Sequence, residues 1–422
     1  MEIRIPYGRS LQTADIAQAD LCGILEPAEA DAASGTEEQL VRLAMAHPIG
    51  SETLRELSRT VQRVLIIASD HTRPVPSRII APLMLEEIRA GNPAAEVVFL
   101  IATGLHRDTS REELIEKFGE DIVAREKIVI HDSYDDEQMV FKGILPSGSP
   151  LLVNKWADWA ELIVAEGFIE PHFFAGFSGG RKSVLPGIAS FKTVCANHCA
   201  AFIADDCAST GVLENNPIHR DMLYAVEQVG LRYIVNVALD AQKKVIAAFA
   251  GDAVRAHEAG CAFVGNRLKV QRMQGDVAVT SNGGYPLDQN LYQAVKGMTA
   301  GMACVRRGGV IILCAECIDG NGGDAFYHYF ADASSPRQVW DDIMAVPAGD
   351  TRPDQWQAQI LAKVLLHARV IMVCDKSQRQ AVADMGMLYA ESLEEALAEA
   401  YRLAGGRRTV VIPDGVSVII DD

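Results

Sequence analysis

Short apolar runs that stop at clusters of polar residues constrain this chain more than any other feature. Arg63-Val-Leu-Ile-Ile-Ala-Ser69 ends at Asp70-His71-Thr72-Arg73-Pro74, and Glu96-Val-Val-Phe-Leu-Ile-Ala102 ends at Thr103-Gly104-Leu105-His106. Apolar runs this short read as strands covered on both faces. Residues 77–90 carry a helical pattern between them. The next helix is expected to start at Thr109 or Ser110, each with a glutamate three residues on (Glu112, Glu113), as in a capping box. Ile128-Val-Ile130 and Leu162-Ile-Val-Ala165 continue the series. This alternation predicts an α/β fold with a largely parallel sheet flanked by helices. Ligands of such sheets bind beyond the carboxyl ends of strands. Asp70, His71, Arg73, His106 and His172 all fall there, on one rim.

The pattern restarts in the second half. A hairpin is expected at 232–239 and 245–249, then a helix at 253–264. A strand at 276–280 ends at Ser281-Asn282-Gly283-Gly284, a long helix covers 287–305, and strands follow at 309–314, 369–374 and 409–412. Two domains are therefore expected, 1–270 and 271–422, each with a largely parallel or mixed sheet flanked by helices. The last strand is free to pack on either. On the long helix, Tyr292, Gln293 and Lys296 share a face by their spacing. A cleft between the two sheets would turn that face toward the histidine rim.

Composition narrows the function classes. A formal net charge of −17 over 422 residues disfavours nucleic-acid and anionic-membrane surfaces. The first residues lack the pattern of a signal peptide, and no apolar run approaches the ~20 residues that span a bilayer. Nine cysteines without a repeating framework read as reduced thiols, so a cytoplasmic enzyme is expected. Cys314 and Cys317 have C-x-x-C spacing but no second pair, which argues against a zinc or redox site.

The segment from Gly167 to Gly187 holds five glycines together with His172, Arg181, Lys182 and Ser183. Backbone without Cβ atoms can approach a phosphorylated ligand closely. Compared with the P-loop pattern, Gly176 brings Lys182-Ser183 into register, but Arg181 stands where the second glycine is required. Pro171 and two phenylalanines also separate the segment from its strand. A P-loop-like nucleotide-dependent enzyme is thus an alternative with an imperfect motif. His106, His172 and His198 stand out because each adjoins this segment or a strand end. Two such histidines suit acid–base work near neutral pH, and a third suits a borderline metal such as nickel, zinc or copper. Arg73 and Lys296 could clamp a small carboxylate from two sides.

Taken together, Asp70-His-Thr-Arg-Pro74, Thr103-Gly-Leu-His106, the Gly167–Gly187 segment, Ala196-Asn-His198, the block from Ser281 to Lys296 and Asp354-Gln-Trp356 resemble the nickel-pincer lactate racemase family. The resemblance covers most of the chain, in order. It implies a two-domain α/β protein with its active site in the interdomain cleft. It implies nickel held in a pyridinium mononucleotide bearing sulfur substituents, joined to the chain at Lys182. His198 then matches the protein ligand of the metal, and His106 and His172 match the acid–base pair. Arg73, Lys296, Gln293, Tyr292 and Trp356 match substrate-pocket residues. Asp70, Thr72, Ser178, Gly179, Gly180, Arg181 and Ser183 are the expected nucleotide contacts.

The activity implied is inversion at C2 of a 2-hydroxy acid, lactate or a relative. It runs by proton-coupled hydride transfer through a 2-keto acid, with enzymes that build the cofactor as partners in loading. A nucleotide-binding or carrier protein of the same fold is the competing reading. It would need the glycine-rich segment but not His106, His172 and Lys296 together.

Overall fold

In the computed structural model, which describes residues 1–27, 35–240 and 242–421, the first two apolar runs are parallel neighbours. Arg63–Ser69 pairs along its whole length with Glu96–Ala102. Val64 through Ala68 are fully buried because the sheet is covered on both faces. The helix Ser77–Gly91 follows the first strand, and Ser110 caps the helix Arg111–Phe118 in a capping box with Glu113. From edge to edge this sheet runs Val245–Gly251, Leu231–Leu239, Leu162–Phe168, Arg63–Ser69, Glu96–Ala102, Lys127–Ile130. Only the Val245–Gly251 edge is antiparallel. The chain builds outward from Arg63–Ser69 in one direction, then returns to lay Leu162–Phe168 on its other side. That reversal opens a crevice at the carboxyl ends of these two strands, where α/β sheets receive ligands.

The second sheet is wholly parallel, in the order Leu388–Ala390, Arg369–Val373, Val305–Cys314, Gly275–Ser281, Thr409–Ile412, Leu21–Ile24. Thr409–Ile412 thus pairs within it. So does Leu21–Ile24, and the hairpin of Glu2–Tyr7 and Ser10–Asp15 packs Ile3, Ile5 and Ala14 against its Val277 and Ile312. The boundary we propose stays near residue 270, with Leu21–Ile24 assigned to the second lobe by pairing and the preceding hairpin by packing. Among the described residues no helix is long and apolar enough to cross a membrane.

One apolar cluster joins the lobes, from Leu65, Ile67 and Ala165 of the first sheet to Leu291, Val295 and Met298 of the long helix. That helix spans Leu291–Cys304, four residues shorter at its start than the apolar pattern predicts. The Asn290 side chain caps it by accepting from the Gln293 N–H. The Asn282 amide donates to the carbonyls of Leu287 and Gln293, which folds residues 287–290 into a turn.

Candidate active site

The crevice of the first sheet opens into a cavity of about 600 Å³, roofed by the long helix and by the start of the helix Gln355–His367. Both lobes contribute walls. His106, His172, His198, Lys182 and Arg73 come from the first lobe, and Tyr292, Gln293, Lys296 and Trp356 from the second. The face shared by Tyr292, Gln293 and Lys296 does look across at the rim.

His106 follows the Glu96–Ala102 strand, and its Nδ1 lies 2.7 Å from Asp70 Oδ2. Thr72 donates its hydroxyl to Asp70 Oδ1 at 2.7 Å. Burial opposes the charge on Asp70. The hydrogen bonds from His106 and Thr72, with Arg73 nearby, outweigh burial and hold the carboxyl below its usual range. An ionised carboxylate only accepts, so Nδ1 carries the proton and the Nε2 lone pair of the neutral ring is free. His106 is arranged as a base.

His172 sits in a different chemical setting. It ends one arm of the small hairpin Pro171–His172/Gly176–Phe177. Its Nδ1 accepts from the backbone N–H of Ala175 at 3.2 Å and more weakly from Phe174 at 3.5 Å. Burial, then Lys182, Lys296, His198 and Arg73, push its pKa well below the ordinary value. The neutral ring therefore carries its proton on Nε2.

His198 follows the helix Phe191–Asn197 and is buried. Its Nδ1 donates to the Val194 carbonyl at 3.1 Å, leaving Nε2 as a free donor atom. Burial and the Lys182 cation lower its pKa to about 3. A neutral imidazole oriented through its other nitrogen by a carbonyl is the form in which histidine binds metal. Among the described residues no group of three or more His, Cys, Asp or Glu is placed to hold a metal ion. Any metal at His198 would need its remaining donors from a bound group.

Lys182 projects toward the Phe174 ring, 5.7 Å from its centroid, and Lys296 toward Phe173 at 6.0 Å. Among the described residues no carboxylate pairs with Lys182, Lys296 or Arg73 within ion-pair distance; Glu170 acts on all three, and Asp70 on Arg73, only at longer range. Burial, then Arg181, Arg73 and Lys296, push Lys182 well below its ordinary pKa. Burial and Arg73 lower Lys296 to about 8, with Glu170 pulling the other way. Three basic side chains without carboxylate partners around one cavity favour anions, which would relieve their mutual repulsion. Across from them Trp356 Nε1 donates to the Tyr292 hydroxyl at 3.2 Å, and the buried Gln293 Oε1 has no partner.

Not every expected nucleotide contact faces this space. Ser178, Gly179, Lys182 and Ser183 line it, whereas Gly180 and Arg181 do not. The Arg181 guanidinium, 1 % exposed, turns inward. It donates to His219 Nδ1 at 2.9 Å and to the Ala175 carbonyl at 2.5 Å, and its Nη1 lies 2.9 Å from His257 Nε2. The Gly180 N–H goes to Asn236 Oδ1 at 2.7 Å. Ser178 accepts from the Glu170 N–H and donates to the Phe168 carbonyl. Gly179, at φ +74°, is glycine because a Cβ there would lie 2.6 Å from the Phe168 carbonyl oxygen. Much of the glycine-rich segment therefore packs the loop rather than wrapping a phosphate. Residues Gly180–Ser183 form a single 3₁₀ turn after a hairpin, which is not the strand–loop–helix of a P-loop. Asp70 and Thr72 line the cavity but direct their hydrogen bonds to each other and to His106. His71 points away, to Thr109 Oγ1 at 3.1 Å.

Among the wall residues given no role from the sequence, two stand out. Tyr134, exposed and stacked on Phe191, stands at the mouth. Glu166, in the Leu162–Phe168 strand, lies at the floor. A lone carboxylate inside an apolar run was the available signal.

Comparison with known proteins agrees with this geometry. Residues 7–211 match the model of the lactate racemase N-terminal domain, and residues 270–420 that of the lactate racemase C-terminal domain. Lactate racemases from Thermoanaerobacterium thermosaccharolyticum and Lactiplantibacillus plantarum are 51 % and 48 % identical to it over 420 residues, 99 % of each chain. The lactate racemase apoprotein structure from T. thermosaccharolyticum superposes with a TM-score of 0.97 at 50 % identity, covering 100 % of both chains. A Thermotoga maritima protein, at a TM-score of 0.66 and 19 % identity over 92 % of this chain and 98 % of its own, shares the fold alone. Two sheets meeting over one cation-rich cavity, matched along nearly their whole length, make this chain a member of the lactate racemase family.

Proposed function

We propose that this chain is a racemase that interconverts the enantiomers of lactate, using a nickel-bearing pyridinium mononucleotide attached at Lys182. One observation carries the reading: two imidazoles with opposite hydrogen-bonding of Nδ1 line the same cavity as an unpaired lysine cluster and a free His198 Nε2. Arg73 and Lys296, from opposite lobes, would clamp the substrate carboxylate. That fixes the C2 hydroxyl between His106 and His172. His106 accepts the hydroxyl proton at Nε2, with Asp70 stabilising the imidazolium that forms. His172 faces the oxygen's other side through Nε2; it would return a proton there only as an imidazolium, whose cost the negative charge of a bound carboxylate offsets. Tyr292 and Trp356 close the cavity against water.

His198 would hold the metal through Nε2, and Lys182 would carry the nucleotide. When bound, that group would supply a hydride acceptor for C2, the substrate passing through a 2-keto acid. The residues suit it: an oriented neutral imidazole, an amine whose charge is disfavoured by burial and by its cationic neighbours, and a cavity able to take a mononucleotide. Two measurements test the reading. Cofactor-loaded protein given L-lactate should lose optical rotation to zero, and intact mass should show an adduct that Lys182→Ala abolishes. Stable rotation with the adduct present would refute lactate racemisation.

A further inference from the structure

Among the described residues, two acidic groups line the cavity without pairing to His106 or a cation: Asp354 on the roof beside Tyr292, and Glu166 on the floor. By the period of two along its strand, Leu162, Val164 and Glu166 share a face. The first two pack in the core beneath the helix Ser77–Gly91, with Ile80 and Met84. Glu166, 1 % exposed, interrupts this apolar face, which Phe168 continues, at the cavity floor. Its Oε1 accepts from Ser77 Oγ at 2.6 Å, while its Oε2 is buried with no partner. The nearest buried cation, Lys117, donates to the Arg73 carbonyl at 3.4 Å and makes no ion pair with it. Burial raises the Glu166 pKa, with Lys117, the Ser77 hydroxyl and the Ser69 backbone N–H opposing. An acceptor stranded in this way is costly unless a ligand completes it.

The cavity sorts its ligands by charge. Arg73, Lys182 and Lys296 attract the anionic parts of whatever binds, and Glu166 repels them from the crevice floor. What a buried carboxylate can accept there is an uncharged donor. Glu166 also stands where the strand order reverses, between Leu162–Phe168 and Arg63–Ser69. In dinucleotide-binding α/β folds a carboxylate beside such a crevice takes a ribose hydroxyl, which gives the chemical precedent.

We infer that Glu166 Oε2 is a hydroxyl-binding subsite, and that its occupant is the ribosyl diol of the pyridinium mononucleotide. The inference rests on the nucleotide reading above and adds to it how the sugar is held. The same chemistry could come from hydroxyls on a longer 2-hydroxy acid, so the test has an arm for each.

Calorimetric titration of the full-length chain, purified without cofactor, would use nicotinic acid mononucleotide and its 2′,3′-dideoxyribosyl counterpart. Wild type should prefer the ribosyl probe by about tenfold or more, the loss expected from one hydrogen bond to a charged group. Glu166→Gln should bring that ratio near one while leaving the affinity of the dideoxy probe almost unchanged. Should Glu166→Gln fail to fold, Glu166→Asp, which keeps the charge but withdraws it by one methylene, should lower the ratio. A packing role alone would shift both affinities and leave their ratio intact. Equal binding of both probes to wild type, or a ratio that survives Glu166→Gln, overturns the inference and leaves the nucleotide reading standing. No binding of either probe overturns both. The second arm compares D-gluconate with lactate. A gluconate preference lost in Glu166→Gln, with the nucleotide ratio intact, assigns the subsite to the substrate and overturns the ribose assignment.

Discussion

His106 and His172 face one cavity from opposite surroundings. His106 is backed by the Asp70 carboxylate, itself held by Thr72, and its side chain is 43 % exposed. His172 has backbone N–H groups at Nδ1 and cations around it, with Phe173 and Phe174 rings against it. The first ring is prepared to gain a proton, whereas the second presents an Nε2–H and resists a further proton. Their difference shows that a pair of identical side chains acquires distinct roles from the group that binds the far nitrogen.

The sharpest way to break this comparison is to remove either ring. His106→Ala and His172→Ala should each reduce turnover of lactate by about 10²- to 10⁴-fold, the worth of a positioned acid or base. Polarimetry with loaded enzyme would show it, and a variant within tenfold of wild type would strike that ring from the mechanism. Asp70→Asn tests the asymmetry itself. It should lower kcat by about 10²-fold with little change in KM, because an amide no longer fixes the His106 proton on Nδ1. An unchanged kcat would mean the carboxylate does nothing for its neighbour.

Arg181→Met should act on the His172 side only. Arg181 donates to the Ala175 carbonyl, and the Ala175 N–H donates to His172. Removing the guanidinium leaves buried carbonyls and imidazoles unpaired, at a cost of about 2–3 kcal/mol in denaturant unfolding. A loss below ~0.5 kcal/mol would show that the loop is held by other contacts. The smallest effect expected is in pH. Lys296, lowered to about 8, is charged below that pH and neutral above it. KM for lactate should rise by up to about tenfold per unit above pH 8, while a Lys296→Met variant should be uniformly weak. A flat wild-type KM would remove Lys296 from the carboxylate clamp.

The rim was legible early because its residues end apolar runs. Asp70, His106 and Thr103 follow strands whose burial any hydrophobicity pattern reveals, and parallel sheets expose those ends together. The same held for Tyr292, Gln293 and Lys296, whose helical spacing defines one face. Arg181 shows where such reading stops. Its place in Gly-Gly-Arg-Lys-Ser suggested a phosphate, yet partners 38 and 76 residues away draw it into the interior. Likewise Glu166 passes as one letter of a buried strand until the reversal of strand order puts it at a crevice.

Period and spacing along the chain alone determined the α/β alternation, the rim and the chemical types gathered on it, since these depend on neighbours within a few residues. Tertiary structure decided which cations go unpaired, which nitrogen of each histidine is free and which carboxylate lacks a partner. Those properties arise from groups far apart in the chain that share a buried volume, where desolvation makes each missing or present hydrogen bond count.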